Sequence, residues 1–433
     1  MRDPSAEVTF WGRTPAGARA VHEIHGVAQG RRFGRATPWL EAGGAAHPVD
    51  AYDRKTGAFA VVFTADFDPK VSLVLRSGDG AVARVALKAP ALAPGSILRA
   101  RGGGAETIVA LAVHNPKPAL FARQIASIRA QTATDWRAVV LDGGSRDEGR
   151  RIIAETIGDD ARFDIVRQER NLGAPGNFAA VLAAAPPCAS IALADADDVW
   201  RETKLERTRA ALLKAGARLA YCDMRVVREN GDVVAETFWS KRNNQWRDLA
   251  GILVANTVTS AASVIDPSIL RVALPLPETF AKTFHDQWLA ACALASGEIA
   301  YVDEALYDYV QHDSQDIGYR VARGPAWARD LRNLALAGDA VVRRTVNAPP
   351  GAAAWRALTE EVLRIKHLAL ALRLRCGDIA DTQRARALDA VAALPKGRAA
   401  RALLFSRGAA RFARRSDTLG RDWRFLAGAL AAP

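Results

Sequence analysis

The sequence predicts an α/β protein: a central domain with a parallel sheet over residues 105–322, between a β-rich domain over 1–104 and a helical region over 323–433. Three observations carry this. Apolar strand-like runs alternate with helically spaced segments through the centre, the pattern of a parallel sheet covered on both faces. β-branched and aromatic runs without helical period occupy the first part. Helical spacing without strand-like runs returns in the last part. The chain has 433 residues, 49% hydrophobic and 24% charged. That composition excludes disordered, collagen-like and disulfide-scaffold classes.

The first domain rests on VTFWG, AFAVVFTADF and VSLVLRSGDGAVARVALKA, the last split by a hairpin signal at Gly78-Asp79-Gly80. A small sandwich-like domain is expected, ending in a Pro/Gly-rich linker over Pro90–Gly104. In the centre, TIVALAV, RAVVLD, RFDIVRQ and ASIALAD read as strands, and ARLAYCD begins another. Between them PALFARQIASIRAQ, DEGRRIIAETIG, GNFAAVLAAA and KLERTRAALLKAG read as helices. In the last part, helices are expected over Ala326–Val346, Ala352–Arg375 and Ile379–Leu394, with shorter ones after Gly397 and a break at Asn347–Gly351.

Lys and Arg number 59 against 47 Asp and Glu, a net charge of +12 and a pI near 9.9. Such a balance points to polyanionic partners: nucleic acid, a membrane surface or phosphorylated substrates. No nucleic-acid-binding motif accompanies it, so no nucleic-acid partner is expected. The four cysteines lie far apart without a CxxC, which signals neither zinc nor redox chemistry and fits a reducing cytosol. MRDPSAEVTF lacks an apolar leader core, and the longest apolar stretch, Phe178–Ala194, is broken by Pro186-Pro187. A cytoplasmic location is expected, with the protein held peripherally at the inner face of the membrane.

In open parallel sheets ligands bind beyond the carboxyl ends of the strands. Those ends carry His114-Asn115-Pro116, then Asp142 to Asp147, then Arg170-Asn171-Leu172-Gly173, then Asp195-Ala196-Asp197-Asp198. Each alone has an ordinary reading. Asp142 suits a helix cap, and Gly173–Gly176 suits loop punctuation as well as a phosphate cradle. Three carboxylates within four residues repel one another unless solvent or a cation intervenes. Mg²⁺ or Mn²⁺ would remove that cost and neutralise a diphosphate leaving group. An exposed acidic turn is the other reading.

These segments, in order, resemble the family 2 glycosyltransferases of the GT-A fold. The resemblance covers roughly residues 106–320 and rests on TIVALAVHN, SIRAQT, VVLDGGSRDEG, ERNLGAPGNF, IALADADDVWRETKLE, AYCDMRV, NTVTSAAS, FHDQWLA and YVDEALYDYVQHD. Their spacing is similar to a bacterial subgroup described as rhamnosyltransferase-like or as building surface polysaccharide. The resemblance implies an inverting, metal-dependent transfer from a nucleotide-sugar donor to a glycan or lipid-linked acceptor.

It also implies residue roles. Asp142 falls where the family sets an Asp against the nucleotide base; Gly143 replaces a second Asp common in relatives. Asp195 and Asp197 fall on the DxD motif, Asp197 as the direct metal ligand. Asp198 caps the following helix or contacts the donor sugar. Asn171 and Gly173 match a loop near the nucleotide-sugar. Asn177 belongs there or in helix packing, and His114 with Asn115 joins the same set or serves as a packing or turn residue. Asp286 in FHDQWLA is the general base, with a helix cap as the alternative. Trp288 is a ring stacked on the acceptor or a core residue. His312 sits near the diphosphate or metal, or is structural. Asp223 lines the acceptor pocket or is buried with a partner. Trp239 and Trp246 flank SKRNNQ, a loop over the acceptor or a packed surface.

Two other classes stay open: a nucleotidyltransferase, which lacks a Gly-rich basic loop in VHNPKPAL, and a non-catalytic glycan-binding protein, which the retained acids disfavour. From Lys396 to Pro433, nine Lys/Arg against two Asp give +7, with Phe405, Phe412, Trp423 and Phe425 interleaved. This suits an interfacial helix on anionic membrane. Alternatively these helices pack on the catalytic domain through Leu403, Leu404, Leu419 and Leu426.

Overall fold

The structure, a computed structural model, describes residues 5–29, 38–42, 44–66, 72–76, 82–86, 105–241, 243–312, 326–346, 348–412, 418 and 420–433. The linker expected at Pro90–Gly104, the turn at Gly78–Gly80, Arg242 and the chain after His312 up to residue 325 lie outside them.

Two four-stranded antiparallel sheets form the N-terminal region. The first has the order β1-β2-β6-β5, from β1 (Ser5–Ala16), β2 (Arg19–Gln29), β5 (Ala51–Tyr52) and β6 (Ala58–Asp66). The second has the order β4-β3-β7-β8, from β3 (Trp39–Ala42), β4 (Ala45–Pro48), β7 (Ser72–Arg76) and β8 (Val82–Ala86). Ile24, Leu40, Val61 and Phe63 share one core between them. Hydrophobic patterning did not identify β2, β3, β4 or β5; β2 carries His22, Glu23 and His25 among its apolar residues.

The central sheet runs β11-β10-β9-β12-β16-β14-β17-β13, with β15 (Val233–Ala235) on β14. β9 (Thr107–Val113), β10 (Trp136–Asp142), β11 (Phe163–Arg167) and β12 (Ser190–Ala194) are parallel, as their apolar runs and intervening helices require. The helices are α1 (Pro118–Arg129), α2 (Asp147–Ile157), α3 (Gly173–Ala184) and, after β13 (Val199–Trp200), α4 (Lys204–Ala215). Beyond β12 the all-parallel expectation fails. β16 (Ser263–Ile265) runs antiparallel to both β12 and β14 (Leu219–Arg228), while β17 (Ile299–Gln311) is parallel to β14. Three residues, Ser263, Val264 and Ile265, carry no sign of strand direction; the segment before β16 sets it. That segment holds α5 (Leu249–Val254), and α6 (Leu270–Ala273) and α7 (His285–Ser296) follow.

The C-terminal region holds α8 (Ala326–Thr345), α9 (Ala352–Arg356), a π-helix (Ala357–Val362), α10 (Leu363–Cys376), α11 (Thr382–Ala392), α12 (Arg398–Phe412) and α13 (Arg421–Ala431). Thus the single helix expected over Ala352–Arg375 contains a π segment. These helices pack on the other two regions. Leu358, Ile365, Leu368, Leu404 and Phe425 belong to the central core, as do Val21, Ala60 and Val62 of the N-terminal sheet. Trp423 is 4% exposed and Phe425 1%. These two rings are therefore core residues, and the packing alternative describes α13. Phe405 is exposed; the Phe412 side chain, residues 413–417 and Leu419 lie outside the described part. No described helix is long and apolar enough to cross a membrane.

A buried polar network joins the ends of the chain. Glu23 accepts from His25 Nε2 and from His367 Nδ1, both at 2.9 Å, and His367 Nε2 lies 2.6 Å from Thr14 Oγ1. Lys366 Nζ reaches Asp50 at 2.6 Å, and Arg375 Nε donates to the Pro15 carbonyl at 2.9 Å. The N-terminal sheet also meets the loop before α7. Thr14 Oγ1 accepts from Glu278 N at 3.2 Å, Glu278 Oε2 accepts from Arg13 N at 3.3 Å, and Phe280 stacks on His25 at 3.9 Å. A Cβ at Gly12 would lie 2.2 Å from the Glu278 carbonyl oxygen, so this approach requires glycine.

Candidate active site at the strand ends

The carboxyl ends of the parallel strands open onto a cavity of about 860 Å³. β9 delivers His114 and Asn115, the loop into α3 Asn171 and Gly173, α3 Asn177, β12 Asp195 and Asp197, α7 Asp286, and β17 leads to His312. Nine of the residues nominated from sequence thus line one cavity. Asp142, Asp198, Asp223 and Trp288 do not.

The neutral wall is tightly tied. His114 Nδ1 lies 3.0 Å from the Gly143 carbonyl, to which it must donate, so Nε2 accepts from Asn115 Nδ2 at 2.8 Å. Asn115, at φ 45°, accepts from Arg146 N and donates its own N–H to Ser145 Oγ, both at 2.9 Å. Asn171 Oδ1 accepts from Gly173 N at 2.8 Å and from Asn177 Nδ2 at 3.0 Å. Gly173 sits at φ +72°, where a side chain would strain the backbone. Asn177 Oδ1 accepts from Gln168 Nε2 at 2.6 Å and Leu172 N at 3.2 Å, so its amide shapes this loop while lining the cavity.

The acidic wall is electrostatically loaded. Burial, then Asp197 and Asp286, push Asp195 up to about 7. Asp197 Oδ2 lies 2.7 Å from His312 Nε2. Burial pushes Asp286 up to about 6, against hydrogen bonds from Gln287 N and Asn256. His285, stacked on Phe178 at 3.9 Å, is held down to about 3 by burial and is neutral near pH 7. A carboxylate and an imidazole meeting at the cavity wall offer one oxygen and one nitrogen ligand to a divalent ion, leaving its other positions for substrate oxygens. Among the described residues no cluster of three or more metal-ligating side chains exists. Asp197 and His312 would thus hold such an ion as a two-residue protein edge.

Four nominations need correction. Asp142 is 1% exposed and its Oδ1 accepts from Ser145 N at 2.8 Å, so its carboxylate closes a turn instead of facing the cavity. Asp198 is fully buried; Oδ1 accepts from Val310 N at 3.3 Å and Oδ2 has no hydrogen-bond partner. It neither caps α4, whose N-cap is Thr203, nor lines the cavity. Asp223 accepts from Thr237 Oγ1, Met224 N and Phe238 N. It thereby anchors the segment that carries Phe238 and Trp239 to the cavity. Trp288 is 0% exposed and donates to the Ala273 carbonyl at 2.8 Å, which makes it core. Trp246 packs on Tyr301 at 5.0 Å, away from the lining.

Sequence reasoning missed the opposite wall. Lys282 and Phe284 come from the loop braced by the N-terminal sheet, and Glu360, Glu361, Arg364, Arg421 and Phe425 from the C-terminal helices. Phe284 opens the FHDQWLA block, but motif spacing offers no signal for the C-terminal residues, because the fold alone brings those helices to the strand ends.

Acids, amides and a histidine are thus gathered beyond the parallel strands of an α/β domain. Residues 108–269 match the family described as Glycosyl transferase family 2. The matched segment lies within the central domain. An uncharacterized glycosyltransferase of Nostoc sp. is 38% identical over 89 residues, 20% of this chain and 27% of the relative. The match thus spans about a quarter of that relative's length. Crystal structures of S. aureus TarS 1–349, one in complex with UDP-GlcNAc and one without, are 15% identical, with TM-scores of 0.43 and 0.41. Each alignment covers 75% of this chain and 90% of the TarS chain.

Proposed function

We propose that this protein is an inverting, metal-dependent glycosyltransferase. It moves a sugar from a nucleotide-sugar donor to a glycan or lipid-linked acceptor in cell-surface polysaccharide assembly. The rhamnosyltransferase-like subgroup belongs to this reading on the sequence blocks alone. The observation that carries it is the convergence of Asp195, Asp197, His312 and Asp286 on one cavity with the Asn171–Gly173 loop.

In this reading Asp286 accepts the proton of the acceptor hydroxyl. The freed oxygen attacks the anomeric carbon, and the bond from that carbon to the diphosphate breaks with its electron pair leaving on the diphosphate. A pKa of about 6 leaves Asp286 ionised near neutrality and makes it a stronger base than a solvent-exposed Asp. Asp197 and His312 would hold Mg²⁺ or Mn²⁺, which when bound neutralises charge on the leaving diphosphate. Asn171, Gly173 and Asn177 shape the loop beside the donor. Asp223, through Thr237 and Phe238, positions Trp239 at the mouth.

Calorimetry with a panel of nucleoside diphosphates and nucleotide-sugars, with and without Mn²⁺, tests the reading. At least one should bind in a Mn²⁺-dependent manner. No binding by any of them would overturn it.

A further inference from the structure

We infer that Arg364 anchors an anion-binding subsite beside Asp286, and that the group it takes is a phosphate or carboxylate on the acceptor. The inference rests on the glycosyltransferase reading and names the chemistry of its second substrate. Arg364 lies in the first turn of α10, immediately after the π-helix, a distortion frequent at functional sites. It lines the cavity while only 9% exposed.

Its Nη1 donates to Gln287 Oε1 at 2.5 Å. Gln287 is itself fixed, because its Nε2 donates to the Ile252 and Leu253 carbonyls at 2.9 and 2.8 Å. Among the described residues this neutral amide is the one hydrogen-bond partner of Arg364, and no carboxylate pairs with it. A guanidinium carries five donors. Glu361, Glu23 and Asp286 attract this buried cation, but none comes within ion-pair distance, so its unused donors point to an anion supplied from outside the fold. The planar fork matches phosphate and carboxylate oxygens.

The surroundings agree. Arg421 and Lys282 line the same cavity. The two acids on this wall have arginines of their own: Arg424 Nε lies 2.7 Å from Glu361, and Arg356 Nε 4.0 Å from Glu360. Burial, then Arg421, lower Arg364 to about 10, which leaves it charged near pH 7. The placement favours the acceptor. Gln287 directly follows Asp286, so the subsite adjoins the carboxylate that takes the acceptor proton. The donor loop, by contrast, comes from the strand ends.

The full-length protein is titrated with inorganic phosphate at saturating Mn²⁺ and the nucleoside diphosphate that binds best. Phosphate should bind with the nucleotide in place, and Arg364→Gln should weaken it at least about tenfold. Nucleoside diphosphate affinity should stay within about threefold of wild type. Arg364→Lys should fall between the two, keeping charge without the fork. Absence of phosphate binding to the wild type, or equal binding by Arg364→Gln, overturns the subsite. A matching loss of nucleoside diphosphate affinity overturns the acceptor assignment and gives the arginine to the donor. Melting temperatures establish that the variants fold. If they do not, phenylglyoxal labelling of the wild type decides, since phosphate should protect Arg364 and unprotected labelling refutes the inference. Failure of the glycosyltransferase reading shows differently: no nucleoside diphosphate binds the wild type at all.

Discussion

Asp286 and Trp288 lie two residues apart on one helix and face opposite fates. The first turn of α7 holds Asp286 at the cavity, whereas Trp288 is enclosed by the core. Asp286→Asn keeps the shape and removes the proposed base. Donor binding should stay near wild type while transfer drops by about two orders of magnitude or more; equal transfer rates would place the base elsewhere. Because Asp286 is raised from 3.8 to about 6, it is protonated and inactive below that value. The kcat/KM profile should therefore rise with pH through about 6, with roughly tenfold less activity one pH unit below the midpoint. A flat profile from pH 5 to 7 would contradict it. Asp197→Ala should abolish Mn²⁺-dependent nucleoside diphosphate binding in calorimetry with the fold intact, since the side chain is at the cavity wall and not in the core.

The elements that matter most are the connections. The loop before α7 carries Lys282 and Phe284 to the cavity and leads into Asp286, and the N-terminal sheet props it through Thr14, His25 and Gly12. Gly12→Val should push this loop away, because its Cβ would meet the Glu278 carbonyl oxygen. Transfer should fall at least about tenfold with nucleoside diphosphate affinity nearly unchanged, as a small displacement near the base is enough. Unaltered transfer in a folded variant would show that the brace is dispensable. The βα alternation from β9 to α4 was legible because each strand is a continuous apolar run closed by polar residues. β2 was not, because buried His25 and Glu23 interrupt its apolar pattern, and Glu23 is satisfied by His25 and by His367 of a distant helix.

On the scale of the whole molecule, the C-terminal helices bridge the N-terminal sheet and the central domain. Removing residues after Leu394 would strip Leu404, Trp423 and Phe425 from the core, so the melting temperature should collapse; an unchanged value would contradict the packing seen here. The junction also makes stability acid-sensitive. Its histidine partners hold Glu23 down to about 2, from 4.5 when unfolded, despite burial. That contribution is present above about 4.5 and is lost as pH falls through 2. Burial lowers His22 from 6.5 to about 4, so stability also declines as pH falls from 6.5 towards 4. Glu23→Gln should lower the melting temperature at pH 7, with the difference from wild type shrinking towards pH 3. An equal difference at both values would remove Glu23 as the source.

The sequence by itself determined the α/β class, the order of the parallel strands and helices, and the polar clusters at the strand ends. These follow from local apolar periodicity and from the rule that polar residues closing parallel strands meet at one rim. Asp195, Asp197 and Asn171 were legible for that reason, whereas His312 was nominated through the family resemblance. Only the tertiary structure decided which polar residues face the cavity and which face their own loops. Asp142, Asp198 and Asp223 occupy equally suggestive sequence positions, yet each is buried against neighbouring backbone N–H groups. It also decided that a basic, aromatic C-terminal region turns inward to supply Arg364 and Arg421 to the cavity. An amphipathic helix encodes that it must bury a face, and not against what; the partner surface exists only after the sheet and its helices have folded.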